Sequence, residues 1–312
     1  MNDVGARLTE AFGRDRVHRN APLAPLTTFK VGGPADWLVD VQGTAALGDA
    51  VSIARSAGLQ LTVLGGGSNV LVPDAGLRGM VIRVHGGEVR ALHPSLVRAD
   101  AGITINGLVR WTINRGIAGL EAWAGTPGTV GGAVYGNAHF KGRMIGELVA
   151  SVSVFTPAGS LEDVPSAEME FGYDFSRLHR TREIVVSADF RVSSGDPMVL
   201  RAAARESLAF RKRTQPLESP SAGCIFQNPD PARDLVPEGI PASAGALVDR
   251  AGLKGARQGA ARVSTTHANF IVNEGGATAR DIRALIDRCK SEVHARFGVA
   301  LREEIVLLGE GI

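Results

Sequence analysis

Along residues 45–57 (AALGDAVSIARSA) apolar side chains recur every three or four positions, the spacing of one helical face. The LTVL run at 61–64 that follows reads as a short buried strand ending in GGGSN. The same pattern predicts short strands at 80–84 and 96–100, then an amphipathic helix over 104–114 (TINGLVRWTIN) closed by Gly116. A second glycine-rich stretch, AGTPGTVGGAVYGN at 124–137, leads into β-rich segments at 148–156 and 183–192. A charged helix over 197–212 runs into RKRTQP, where Pro216 and the SPSAG run stop it and mark a joint in the chain. Beyond the joint the pattern predicts a helix near 243–251, a strand at 268–272 (ANFIV), a long amphipathic helix over 278–296 begun by Thr278, and a last strand at 304–308 (EIVLL). Strands and helices mix without strict alternation, which favours an α+β fold over a doubly wound parallel sheet.

Length and composition refine this picture. A chain of 312 residues exceeds the size at which one hydrophobic core stops growing, so two or three domains are expected. Glycine is the outlier: 39 of 312 residues, about 12%, with eight of them clustered in the two stretches above. The net charge of +2, from 34 basic and 32 acidic residues, gives no general attraction to nucleic acid or to an anionic membrane surface, so any anion site must be local. The amino-terminal MNDVGARLTEAFGRDRVHRN lacks the apolar core of a signal peptide, and no apolar run approaches the length of a membrane span, so a cytoplasmic protein is expected. Cys224 and Cys289 are too few for a disulfide framework and are expected as reduced thiols; no metal site is evident.

The glycine stretches carry the first chemistry. In LGGGSNVLV, Gly65, Gly66 and Gly67 have no Cβ, so successive backbone N–H groups can approach one anion closely, and Ser68 and Asn69 add side-chain donors. GTPGTVGGA at 125–133 offers the same chemistry, with Pro127 stiffening the turn and Thr129 supplying a hydroxyl. Two such loops can grip one dinucleotide diphosphate. Neither has the GxGxxG spacing followed by its acidic residue, nor the GK[ST] of a P-loop, so the common nucleotide folds are disfavoured.

With these motifs in view, the chain resembles the UDP-N-acetylenolpyruvoylglucosamine reductases. The resemblance rests, in order, on NAPLAPLTTFKVGGPADWLV (20–39), LGGGSNVLVPDAGLRGMVI (64–82), AGTPGTVGGAVYGNA (124–138), FGYDFSRL (171–178), TQPLESPSAGCIFQNP (214–229), AGLKG (251–255), STTHANFIVN (264–273) and LREEIVLLG (301–309). The short segment between FGYDFSRL and TQPLESPSAG resembles the family's second type, which lacks an inserted substrate-covering loop.

That resemblance implies an FAD-binding domain of the vanillyl-alcohol-oxidase/PCMH-like type over 1–205, in two lobes of about 1–85 and 86–205. A smaller α+β substrate domain over 206–300 and a strand over 301–312 returning to the active site complete the expected layout. It implies NADPH-dependent, FAD-mediated reduction of UDP-N-acetylglucosamine enolpyruvate to UDP-N-acetylmuramate in peptidoglycan precursor synthesis. The substrate is a small molecule, neither nucleic acid nor membrane is a partner, and a monomer is expected. FAD would be clamped by Gly65, Gly66, Gly67, Ser68 and Asn69 on one side and by Thr126, Gly128, Thr129, Gly131 and Gly132 on the other.

The family's chemistry asks for a hydride from flavin N5 to C3, a cation at the substrate carboxylate, and a proton at C2. Cys224 in SAGCIFQNP stands where the family places a serine proton donor, and a thiol is the stronger acid. Glu304 matches the family's carboxy-terminal glutamate; its neighbour Glu303 must face the opposite way if the segment is a strand. The family's FGYRxS arginine is replaced by Asp174, which would oppose a growing negative charge, so the cation must come from elsewhere. Arg177 is the first candidate and Arg180 the second. For the UDP moiety the resemblance implies contacts from Asn228 and from Gln227, which stands in for a lysine. Lys212 and Arg213, in the run begun by Arg211, offer compensating charge. His267 and Asn269 read as structural. Two other functions fit the cofactor motifs: another FAD-linked oxidoreductase, such as an oxidase, and a redox-inactive UDP-sugar binding protein. Against covalent flavin attachment, residues 60–135 hold only His85 and His93 as histidines, neither inside a clamp.

Overall fold

The computed structural model describes residues 4–309, so the three outermost residues of the expected first and last segments lie outside the described residues. Two compact units interleave in sequence. The first draws on the chain up to Ala21, Asp36–Gly66 and Arg78–Phe210, and the second on Pro22–Ala35, Gly67–Leu77 and the chain from Arg211 onward. Helix and strand are mixed in the α+β manner that the patterning predicts.

The first unit holds two larger sheets and two two-stranded ones, His139–Phe140 with Arg143–Met144 and Ile117–Ala118 with Ser193–Ser194. One has four strands in the order Val17–Pro22, Pro34–Val41, Leu77–Val84, Leu61–Leu64, the last two running parallel. The other has five, in the order Leu161–Pro165, Val149–Phe155, Ile184–Arg191, Leu96–Asp100, Val89–His93, antiparallel throughout. Helix Gly43–Ser56 buries Leu47, Ala50, Val51 and Ala54, the face that its apolar spacing predicts. Helix Ile105–Asn114 begins where the Thr104 hydroxyl accepts the Gly107 N–H at 3.0 Å, satisfying one of the donors left over at a helix start. Trp123 and Phe190 are fully enclosed in the same core, and burying each large side chain stabilises the unit by roughly 1.5–3 kcal/mol. Within the five-stranded sheet the buried Asp189 carboxylate accepts from Arg98 Nε and Nη2 at 2.6 and 2.8 Å, a forked pair that satisfies both oxygens.

The second unit is built on an antiparallel sheet of three short strands, Arg257–Gln258, Ala261–Val263 and Ile271–Asn273. Helix Ala279–Phe297 starts with a reciprocal cap between Thr278 and Asp281 and buries Ile282, Leu285, Ile286, Cys289 and Val293. Those side chains share a core with Phe29, Val31, Leu71, Ile225 and Phe226. Among the described residues no helix is long and apolar enough to cross a membrane.

Three predicted elements differ from the pattern reading. The second glycine stretch is not wholly loop, because Val130–Tyr135 closes into a short helix with Val130, Ala133 and Val134 buried. The strand expected at 268–272 is Ile271–Asn273, since the backbone and side chain of Asn269 are spent on residues 225 and 226 instead of a ladder. The strand expected at 304–308 shortens to Val306–Leu307, parallel to Val70–Leu71.

Candidate functional site

In the first unit the two glycine stretches meet. A Cβ placed on Gly65 would fall 2.3 Å from Thr129 Oγ1, and one on Gly66 would fall 2.6 Å from Gly128 Cα, so the two loops touch backbone to backbone where only glycine fits. Gly128 adopts φ +99°, open to glycine alone at ordinary cost. Among the described residues the N–H groups of Gly65, Gly66 and Gly128 donate to no protein acceptor. Donors left unspent on a Cβ-free surface are what an anionic diphosphate requires. Thr129, buried, stands just before Val130–Tyr135 without a side-chain bond to the helix start, and the helix carries Gly131 and Gly132 in its first turn. Thr126 is buried, and its carbonyl accepts from Asn106 Nδ2 at 3.2 Å while Asn106 Oδ1 takes the Gly125 N–H at 2.7 Å. Asn106 is thus a support for the second loop that sequence reading missed; its only signal is a bonding-competent Asn in the first turn of an amphipathic helix.

The other expected residues of the first unit are not arranged as the motifs suggest. Arg177 donates from Nε and Nη2 to both oxygens of Glu183, at 3.0 and 2.5 Å, which holds its guanidinium above the usual arginine range. The fork that a substrate carboxylate would need is therefore engaged by the protein itself. Arg180 pairs with Glu170 at the surface. Asp174, in the place of the family arginine, accepts from or shares a proton with His139, Nδ1 to Oδ1 at 2.9 Å.

In the second unit, backbone pairing brings Cys224 and Glu304 onto neighbouring segments. The Gln227 N–H donates to the Arg302 carbonyl at 2.9 Å and the Glu304 N–H to the Ile225 carbonyl at 2.8 Å, with Phe226 bridged to Glu303 between them. Glu303 points to helix Ala279–Phe297, where Arg283 and Lys290 pair with it at 3.3 and 2.8 Å. Asn69 Nδ2 donates to the Glu304 carbonyl at 3.1 Å, so a residue expected at the cofactor positions the catalytic candidate. Ser68 is half-buried nearby in sequence, and Gly67, at φ +59°, leaves no room for a Cβ beside the Leu26 carbonyl. Asn269 is buried and bonds Phe226 twice, accepting its N–H at 2.9 Å and donating to its carbonyl at 2.7 Å; with His267, whose imidazole burial holds below the usual histidine range, it fills the structural part expected.

The basic run separates sharply. Lys212 and Arg213 are exposed, whereas Arg211 is 6% exposed. Burial pushes the Arg211 guanidinium down to about 10, and the neighbouring Cys224 draws it the other way. It stays protonated at neutral pH. A cation that interacts with Cys224 favours the thiolate by the same amount, a pairing that the sequence could not separate from a solvated charge run. Asn228 Oδ1 accepts the Ala244 N–H at 3.1 Å at the start of helix Ala244–Arg250, and Gln227 is half-buried beside it.

Residues 35–164 match the model of an FAD binding domain, and residues 215–308 that of the UDP-N-acetylenolpyruvoylglucosamine reductase C-terminal domain. The chain is 38% identical over 301 residues to UDP-N-acetylenolpyruvoylglucosamine reductase of Gloeobacter violaceus, covering 96% of this chain and 98% of that one. It is 40% identical over 312 residues to UDP-N-acetylenolpyruvoylglucosamine reductase 2 of Symbiobacterium thermophilum, covering 99% and 98%. The crystal structure of UDP-N-acetylenolpyruvylglucosamine reductase from Thermus caldophilus superimposes with a TM-score of 0.78 at 34% identity, over 94% of this chain and 99% of that one. With relatives at this identity matched over nearly their whole length, and a backbone cradle in the region matched as FAD-binding, the chain belongs to the UDP-N-acetylenolpyruvoylglucosamine reductase family.

Proposed function

We propose that this chain reduces the enolpyruvyl ether of UDP-N-acetylglucosamine to UDP-N-acetylmuramate, using FAD and electrons from NADPH, as a cytoplasmic monomer. The observation that carries the reading is the pairing of segment 225–227 with 302–304, which holds a thiol and a carboxylate on adjacent backbone in the part of the chain matched to the family's C-terminal domain. When bound, FAD supplies the hydride. The unspent amides of Gly65, Gly66 and Gly128 fit its diphosphate, with Thr129 behind them and Asn106 fixing the second loop.

The chain's own residues then divide the remaining work. Cys224 gives its proton to C2, and the thiolate left behind is stabilised by Arg211, a cation held nearby at low exposure where its charge is poorly screened. Glu303 is engaged by Arg283 and Lys290, and Glu304, the alternate position on that segment, is the carboxyl group that assists at the substrate's developing enolate. Asn228 and Gln227 follow directly on this segment and, with Lys212 and Arg213 at the exposed end of their helix, contact the UDP moiety.

The test is purification followed by a visible spectrum and an NADPH oxidation assay with and without the enol ether. Bound flavin and oxidation that depends on the enol ether are expected; no flavin, or oxidation indifferent to the substrate, overturns the reading. Cys224→Ser should keep part of the turnover, whereas Cys224→Ala should lose about 10²–10⁴-fold of it, the usual worth of a positioned acid.

A further inference from the structure

We infer that His267 is a positioning residue for the protonation step: its imidazole holds Asn269, and Asn269 holds the backbone that carries Cys224. The inference rests on the reduction proposed above, in which Cys224 gives its proton to C2. Every contact involved lies within the second unit.

The backbone that follows Cys224 is gripped from two sides. Asn269, 3% exposed, accepts the Ile225 N–H on its own carbonyl at 2.8 Å and the Phe226 N–H on Oδ1 at 2.9 Å, and donates from Nδ2 to the Phe226 carbonyl at 2.7 Å. On the other edge the Gln227 N–H donates to the Arg302 carbonyl and the Glu304 N–H to the Ile225 carbonyl. Before Cys224 stands Gly223, at φ +83° with no atom within 4 Å of where a Cβ would be. The aim of the Cys224 side chain is therefore set from the side of residues 225 and 226, and through them by Asn269.

Asn269 is in turn held by the imidazole of His267. Residues 267–270 form a tight turn closed by the Phe270 N–H on the His267 carbonyl at 3.0 Å, and the buried Ser264 hydroxyl oxygen accepts the N–H groups of Thr266 and His267 at 3.1 and 3.3 Å. Inside this turn the Asn269 N–H donates to His267 Nδ1 at 3.2 Å. A side-chain acceptor two residues before the N–H it takes is the arrangement of an Asx turn, here made by an imidazole. The bond needs the lone pair of Nδ1, so the working ring is neutral with its proton on Nε2. His267 meets the Phe270 ring edge-on at 5.1 Å, and a Cβ on Gly245 would fall 3.0 Å from Cε1, so helix Ala244–Arg250 lies against the ring and leaves it little room to turn. Burial, and after it the charge of Lys254, hold the imidazole below the usual histidine range; Lys254 itself pairs with Asp249 at 2.8 Å. At neutral pH the ring therefore keeps its acceptor. Taking up a proton sets an N–H on Nδ1 against the Asn269 N–H, two donors in a place built for one, and the grip on residues 225 and 226 loosens. His267 exchanges no proton with the substrate: the C2 proton comes from Cys224.

The test compares two variants of the FAD-loaded enzyme. His267→Asn puts Oδ1 close to the place of Nδ1 and takes up no proton, whereas His267→Phe keeps a ring to pack but has no acceptor. The flavin is reduced without oxygen, the enol ether is added, and flavin reoxidation is followed across pH. At about pH 7.5 the Phe variant should reoxidise about 10- to 100-fold more slowly than wild type, with reduction of its flavin by NADPH within about twofold. The Asn variant should keep the wild-type rate within about threefold. Wild type should slow as pH falls below about 6.5, and the Asn variant should not. A ring that only fills space predicts the reverse order, Phe faster than Asn, and the same profile in both. Phe and Asn variants that reoxidise alike, or an acid limb that survives in His267→Asn, overturn the inference while the proposed reaction stands. Should the Phe variant not fold, the pH profiles of wild type and His267→Asn decide by themselves. If wild-type reduced flavin ignores the enol ether, both fall.

Discussion

Gly66→Ala tests whether the contact between the two glycine loops builds the cofactor site. The added Cβ would lie 2.6 Å from Gly128 Cα, 3.2 Å from its carbonyl carbon and 3.4 Å from its nitrogen. Carbon atoms rest about 3.5–4.0 Å apart, so the loops must part by about 1 Å, and the obstacle is backbone that no rotamer can move aside. Overpacking of this kind costs about 1–3 kcal/mol of stability in the protein without cofactor. It also widens the spacing of the amides of Gly65, Gly66 and Gly128. Losing one charge-assisted bond to a phosphate is worth about 1.5–3 kcal/mol, or about 10- to 150-fold in the FAD dissociation constant. Quenching of flavin fluorescence on titration into cofactor-free protein reads the second effect, and thermal melting of the same protein reads the first. Gly132→Ala is the matched control for melting. Its Cβ would meet only Thr129 Oγ1, at 3.8 Å, and in a helix alanine is worth about 0.5–1 kcal/mol over glycine, so the melting temperature should hold or rise. If Gly66→Ala bound FAD within about twofold of wild type and melted with it, the contact would not be what shapes the cradle.

Other consequences concern the second unit. Asn269→Ala strips both partners from the buried backbone of Phe226 and should cost about 2–5 kcal/mol in denaturant unfolding, with turnover falling in the fraction that stays folded; a loss under about 1 kcal/mol would refute the clamp. Burial pushes the Cys289 thiol up to about 12, so a thiol reagent should modify one cysteine in the native protein and two in denaturant, and Cys224→Ser should abolish the native reaction. Asp234, bonded by Arg302 at 3.1 and 2.5 Å, is lowered from 3.8 to about 2. Because the folded value lies below the unfolded one, this pair stabilises the fold above about pH 4 and the contribution fades as pH falls toward 2. The stability gap between wild type and Asp234→Asn should therefore close over that interval, and a gap independent of pH would contradict the assignment.

What the sequence could carry about this molecule depends on how local the information is. The helix Gly43–Ser56 and the cap at Thr278 are legible because their causes, apolar spacing and a hydroxyl three residues before its partner, lie within a few positions. The glycine stretches are legible as anion loops for the same reason, but their contact, Gly66 against Gly128, joins positions 62 apart and has no local signature. The same holds for the segments Pro22–Ala35 and Gly67–Leu77, which read as parts of the first half of the chain and pack within the second unit. At the site, residue type and order single out Cys224 and Glu304, while charge alone misleads about the cations. Arg177 reads as available until Glu183, six residues on, is seen to occupy both its donors. Arg211 reads as one of three equivalent charges until burial separates it from Lys212 and Arg213. Asp174 reads as an unpartnered charge until His139, 35 positions earlier, is seen to pair with it. A charged side chain acts through whatever stands opposite it, and that partner is set by the fold; a substitution that looks disabling in a motif is therefore evidence to search for the residue that completes it.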